Sequence, residues 1–106
     1  MINASLKNTI KEYSFRFPLE EACGLVVSDR DSLSFVPCKN RHSQPAYAFS
    51  ISPRNVLDYD VKYIFHSHPK SSAHPSRVDM SYCDELRIPF LIYSILDDEF
   101  ILHRPK

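Results

Sequence analysis

A largely apolar run, Val61 to Phe65, ends in two histidines one residue apart, His66-Ser67-His68, and then Pro69. No other stretch narrows the fold as much. Strand side chains alternate with period two, so an extended backbone puts both imidazoles on one face. The run therefore reads as a buried strand that delivers His66 and His68 at its end, with Pro69 stopping it. A polar loop follows, and Ser76-Arg77-Val78-Asp79 fits a capping box at a helix start. Two imidazoles and the Asp79 carboxylate can give three protein ligands to a zinc ion and leave a fourth position for water. That arrangement suits a catalytic rather than a structural metal.

Each part has a plainer reading. A lone histidine at a strand end is more often a surface or hydrogen-bonded core residue than a ligand, and Ser76 with Asp79 could be a capping box alone. The joint pattern, with both histidines on one strand face ahead of a helix start, is what favours a metal site.

The rest of the chain alternates helices and strands. Ile2, Leu6, Ile10 and Phe17 keep roughly helical spacing, which predicts an amphipathic helix over 3–16. Leu25-Val26-Val27 reads as a short buried strand, with Leu33 to Cys38 as its hairpin partner across the polar turn 28–32. Ala46 to Ile51 resumes β character through Tyr47, Phe49 and Ile51. Ser52-Pro53 starts a short helix to about Tyr59, the serine capping it. After a helix from Ser76 to about Arg87, Phe90–Leu96 and Glu99–Arg104 read as strands joined by a turn at Asp97-Asp98. This order implies an α/β (α+β) domain over 1–106, with a mixed sheet flanked by the N-terminal helix and the helix after the histidine loop.

Composition excludes several classes. The 13 basic and 13 acidic residues balance, and no basic run favours a nucleic-acid backbone. No segment approaches the ~18 apolar residues of a membrane helix, and no signal peptide is read, so a cytoplasmic protein is expected. Gly24 is the only glycine, which excludes Gly-rich phosphate loops. Cys23, Cys38 and Cys83 form no CxxC pair and read as reduced, buried thiols. A redox or metal role for Cys23 is the less favoured alternative.

The spacing of His66-Ser67-His68-Pro69, six residues, Ser76, two residues and Asp79 resembles the signature of the JAMM (JAB/MPN) metallopeptidases. A second element of that family, a glutamate three residues before a glycine at a strand start, is matched by Glu21 and Gly24. The resemblance implies a cytidine-deaminase-like fold and a role for each residue. His66, His68 and Asp79 would bind Zn²⁺, Glu21 would relay the proton of the attacking water, and Ser76 would donate to the oxyanion. An amide or isopeptide hydrolase is the implied activity.

The flanking stretches around Cys38-Lys39-Asn40, Phe49-Ser50-Ile51-Ser52-Pro53 and Pro89-Phe90-Leu91 are similar to the JAMM domain of lambda-type phage tail assembly proteins. There the domain often precedes an NlpC-type cysteine peptidase domain, and here the sequence stops at Lys106, as a stand-alone form or a fragment. The expected partner is accordingly a protein or peptide from a phage tail or cell wall. A peptidase acting on a ubiquitin-like or sulfur-carrier protein is the main alternative. A non-catalytic MPN-type binding module and a RadC-like protein rank below it. By the same resemblance Asn40 is a candidate substrate contact. His74 reads as a solvent or substrate-side residue, His42 and His103 as surface, and Tyr47, Phe49, Phe65, Phe90 and Tyr93 as core aromatics.

Overall fold

The computed structural model describes residues 2–106. In chain order the elements are helix α1 (Ala4–Phe15), strands β1 (Cys23–Asp29) and β2 (Ser32–Cys38), short helix α2 (Pro53–Leu57), strand β3 (Val61–His68), helix α3 (Arg77–Leu86), and strands β4 (Phe90–Ser94) and β5 (Glu99–His103). The five strands form one sheet in the order β2-β1-β3-β4-β5. Only β3 and β4 run parallel, as a pair joined through a helix must be able to do; the other neighbours are antiparallel. The expected mixed sheet is therefore present.

Helices cover both faces of the central strands, so alternation sorts their side chains between two cores rather than between core and water. Cys23, Leu25, Val27, Ile64, Phe90 and Ile92 pack on the face that also takes Phe49 and Cys83. Val26, Phe65, Leu91 and Tyr93 pack on the other, against Ile10 of α1 and the flanking Leu6 and Tyr13. By this parity His66 and His68 share the face of Ile64, and Ser67 lies on the α1 side.

Local signals explain the element ends. Asn3 caps α1 by accepting from Leu6 N at 2.8 Å. Arg30 and Asp98 take left-handed backbone in the two hairpin turns, and Arg87 does so at the end of α3.

Four expectations need correction. Residues 46–51 form no strand, because Tyr47 N and Ala48 N both donate to Gln44 O and close a turn. Tyr47 is consequently 79% exposed and not a core aromatic. Ser52 makes no side-chain capping bond, and α2 ends at Leu57. Strand β4 ends at Ser94, where the Ser94 hydroxyl accepts from Asp97 N and draws the chain into the next turn.

Gly24 is required by a close approach. A Cβ there would lie 2.5 Å from the Phe35 ring and 2.6 Å from the Val36 carbonyl oxygen on β2. A side-chain ring can shift, but the β2 backbone is held along its length by β1. Gly24→Ala should destabilise the fold by about 1–3 kcal/mol, as overpacking does. Urea unfolding checks this, and an unchanged midpoint would contradict the packing argument.

Candidate metal centre

Strand register brings the upstream glutamate to the histidines. Cys23 pairs with His66 across the antiparallel β1–β3 ladder. Continued two residues in each direction, that register sets Glu21 beside His68. The approach is held by Ser67, whose hydroxyl accepts from Ala22 N at 2.9 Å while its own N–H donates to Ala22 O. Glu20, one position away, is exposed.

Helix α3 supplies the remaining donor. The Ser76 hydroxyl accepts from Asp79 N at 3.0 Å, and Asp79 Oδ2 accepts from Ser76 N at 2.9 Å, completing the capping box. The same Oδ2 lies 3.0 Å from His68 Nε2 and 3.2 Å from His66 Nε2. Glu21, His66, His68 and Asp79 are all buried, and each offers one ligand atom within 4.8 Å of the others. The structure thus brings together four of the five predicted site residues as one cluster. The fifth, Ser76, stands at its edge and is exposed.

The donor set fits a divalent metal. His68 Nδ1 is 2.7 Å from the Ser72 carbonyl, which can only accept, so Nδ1 carries a proton. Nε2 then faces the Asp79 oxygen either with a second proton or with a lone pair that needs a cation between them. His66 is harder to satisfy from protein alone. Its Nε2 is close to Asp79 Oδ2 but misaligned for a hydrogen bond, and its Nδ1 has no partner. Glu21 Oε1 is likewise buried without a partner. Three orphaned polar atoms in one buried spot are costly unless an ion or water engages them. Two imidazole nitrogens and a carboxylate oxygen match zinc and several other first-row metals.

The same burial acts in opposite directions on the two carboxyls. Burial pushes Glu21 up to about 8, the Asp79 charge adds to this, and the His68 charge opposes it. Asp79 is also penalised by burial, but the adjoining His66 and His68 nitrogens and the bond from Ser76 N–H outweigh that and hold it well below the usual carboxylate range. Burial lowers His66. For His68 burial is opposed by the Asp79 and Ser72 bonds and nearby negative charge, and the net direction is upward.

Three supporting residues were not assigned to the site from sequence. Phe49 stacks on His66 with ring centroids 4.3 Å apart and an 18° interplanar angle. Ser72 fixes the His68 ring through its carbonyl, a contact that no side-chain pattern announces. Ser67 could have been found from alternation, since the residue between two same-face histidines must face the other way. Cys23, raised to about 12 chiefly by burial, has no thiolate to offer and packs as an apolar residue. His42 and His103 are half-buried and stand outside the cluster. His74 lines a cleft of about 370 Å³ together with Leu19, Glu21, Tyr47, His68 and Ser76.

Comparison with known proteins places these features in a wider group. The family described as prokaryotic homologs of the JAB domain matches residues 6–101. The tail tip assembly protein K of Escherichia phage N15 is 30% identical over 109 residues; the match covers 99% of this chain and 43% of that protein's length. A Desulfitobacterium hafniense protein solved in solution superposes with TM-score 0.75 at 23% identity, over 94% of this chain and 78% of that one. The crystal structure of a JAB1/MPN domain protein from Archaeoglobus fulgidus gives TM-score 0.59 at 22% identity, over 93% and 83% respectively. No helix among the described residues is long and apolar enough to cross a membrane.

The Glu21 environment has a measurable consequence with a chelator present. Its folded value of about 8 lies above the ordinary 4.5, so burial favours the neutral acid. That contribution to stability is full below about pH 4.5 and is lost as the pH rises through about 8. Relative to Glu21→Gln, the unsubstituted chain should therefore lose stability across this window. Parallel stability–pH curves for the two chains would contradict it.

Proposed function

The chain belongs to the prokaryotic JAB-domain family, and from this we propose that it is a zinc-dependent metallopeptidase that hydrolyses an amide or isopeptide bond. The observation that carries the reading is a buried carboxyl, Glu21, with a raised proton affinity and an unpartnered oxygen, set against His66, His68 and Asp79. Two imidazoles and one carboxylate as ligands leave a fourth position for water, and Glu21 lies beside it as a proton acceptor. Similarity to a phage tail tip assembly protein supports a protein or peptide substrate in tail assembly or at the cell wall.

His66 and His68 would hold the ion through their Nε2 atoms, and Asp79 through a carboxylate oxygen. An ion held there would supply a water of pKa about 7 and a Lewis acid toward the scissile carbonyl. The Ser72 carbonyl keeps the His68 proton on Nδ1 and so leaves Nε2 free as a ligand. Glu21 takes a proton from the attacking water and delivers it to the leaving nitrogen as the C–N bond breaks. A carboxyl within reach of that water can serve first as base and then as acid. The Ser76 hydroxyl accepts from Asp79 N, so its own proton is left to donate to the oxyanion in the cleft. Exposed Leu19 and Tyr47 line the same cleft and suit an extended peptide with apolar side chains.

Purified protein should bind about one zinc per chain, and His68→Ala should abolish binding; full occupancy in that variant would remove the ligand assignment. Glu21→Gln should keep the metal and lose roughly 10²–10⁴ in rate on peptide and isopeptide substrates. Ser76→Ala should lose about 10²–10³ with metal retained. Hydrolysis that persists after exhaustive chelation would end the zinc reading.

A further inference from the structure

Asn40 follows β2 and lies between the start of β1 and the loop that precedes α2. Its Nδ2 donates to the Glu21 carbonyl at 2.9 Å and to the Ala48 carbonyl at 3.0 Å. Its Oδ1 accepts from His42 N at 3.0 Å and Ser50 N at 3.2 Å. A carboxamide has two N–H donors and two lone pairs, so every one is occupied. No capacity remains for a substrate, which sets aside the contact role expected from resemblance.

The groups Asn40 joins all bear on the site. The Glu21 backbone is pinned on both sides, since its N–H also donates to Pro45 O at 2.8 Å. The loop held at Ala48 and Ser50 carries Phe49 onto the His66 ring and Tyr47 into the cleft wall. That loop has no sheet ladder to shape it. We infer that Asn40 is a positioning residue: one side chain locks the Glu21 backbone, the Phe49–His66 stack and the Tyr47 wall into a single piece. The inference rests on the hydrolase reading only for what Glu21 does once it is placed.

Asn40→Asp tests this, because it keeps the shape while turning a carboxylate oxygen toward two carbonyls in place of the N–H donors. Hydrogen exchange is followed by NMR at the amides of Glu21, Tyr47 and Ala48, whose acceptors Pro45 O and Gln44 O do not belong to Asn40, with Leu25 and Ile64 as controls in β1 and β3. Exchange at the three site amides should accelerate by about 10-fold or more while the controls change by less than about twofold. Zinc bound per chain should not change, as no proposed ligand is touched. On any substrate that the unsubstituted chain hydrolyses, kcat should fall by about 10-fold or more with little change in KM. In the Glu21→Gln background the same substitution should have no further effect.

Unchanged exchange at the three amides overturns the inference, as does equal acceleration at Leu25 and Ile64, which would mean general destabilisation only. A change confined to KM would restore the substrate-contact role. Should Asn40→Asp fail to fold, Asn40→Ala deletes all four bonds, those to Oδ1 as well as those from Nδ2, without adding repulsion, and is read in the same way. If the unsubstituted chain hydrolyses nothing, the hydrolase reading falls, and the exchange pattern still decides whether Asn40 is the latch.

Discussion

One carboxylate oxygen holds the site together. Asp79 Oδ2 accepts from Ser76 N at the mouth of α3 and faces both histidine Nε2 atoms at the end of β3. The helix start and the strand end are therefore joined at a single atom. A negative charge in the first turn of a helix is favourable by itself, because the exposed N–H groups there carry positive partial charge. The cap thus stabilises the ionised form that a metal ligand also requires. Capping and ligation are not competing roles for Asp79, since both need the same charge in the same place.

Glu21 has the same kind of side chain and a different fate. It is as deeply buried as Asp79, yet no N–H or O–H donates to its Oε1. Desolvation then goes unanswered and raises its proton affinity, while the bonded Asp79 stays ionised. Two neighbouring carboxyls with values pushed apart are the condition for separate anionic and proton-transferring roles. The separation arises from hydrogen-bond supply rather than from depth.

The sheet makes this possible by burying both faces. Had β3 one wet face, His66 and His68 would lie either in solvent or wholly among apolar side chains. With helices on both sides, His66 sits under Phe49 on one face. On the other, Ser67 secures the entry to β1 through Ala22. The polar cluster is thereby kept at the strand ends, where the cleft opens, and the apolar cores remain below it. Where sequence reasoning failed, in residues 46–51, alternating apolar residues suggested a strand, but no neighbouring strand is available to pair with them. The Asn40 side chain takes the bonds that a ladder would have made, and Tyr47 turns outward.

What was legible in the sequence was local. Period-two alternation put His66 and His68 on one face, the Ser76–Asp79 spacing set the capping box, and the apolar spacing after Asn3 marked α1. Each depends on residues within a turn or a strand of one another, so backbone geometry alone carries the inference. The spacing of Glu21 from Gly24 marked it as a candidate only through resemblance to a family. That Glu21 meets His68, that the Ser72 carbonyl selects the His68 tautomer, and that Asn40 spans Glu21 and Ser50 were decided by tertiary structure. These contacts depend on the β1–β3 register and on how an irregular loop folds back over it, and no short-range periodicity encodes either.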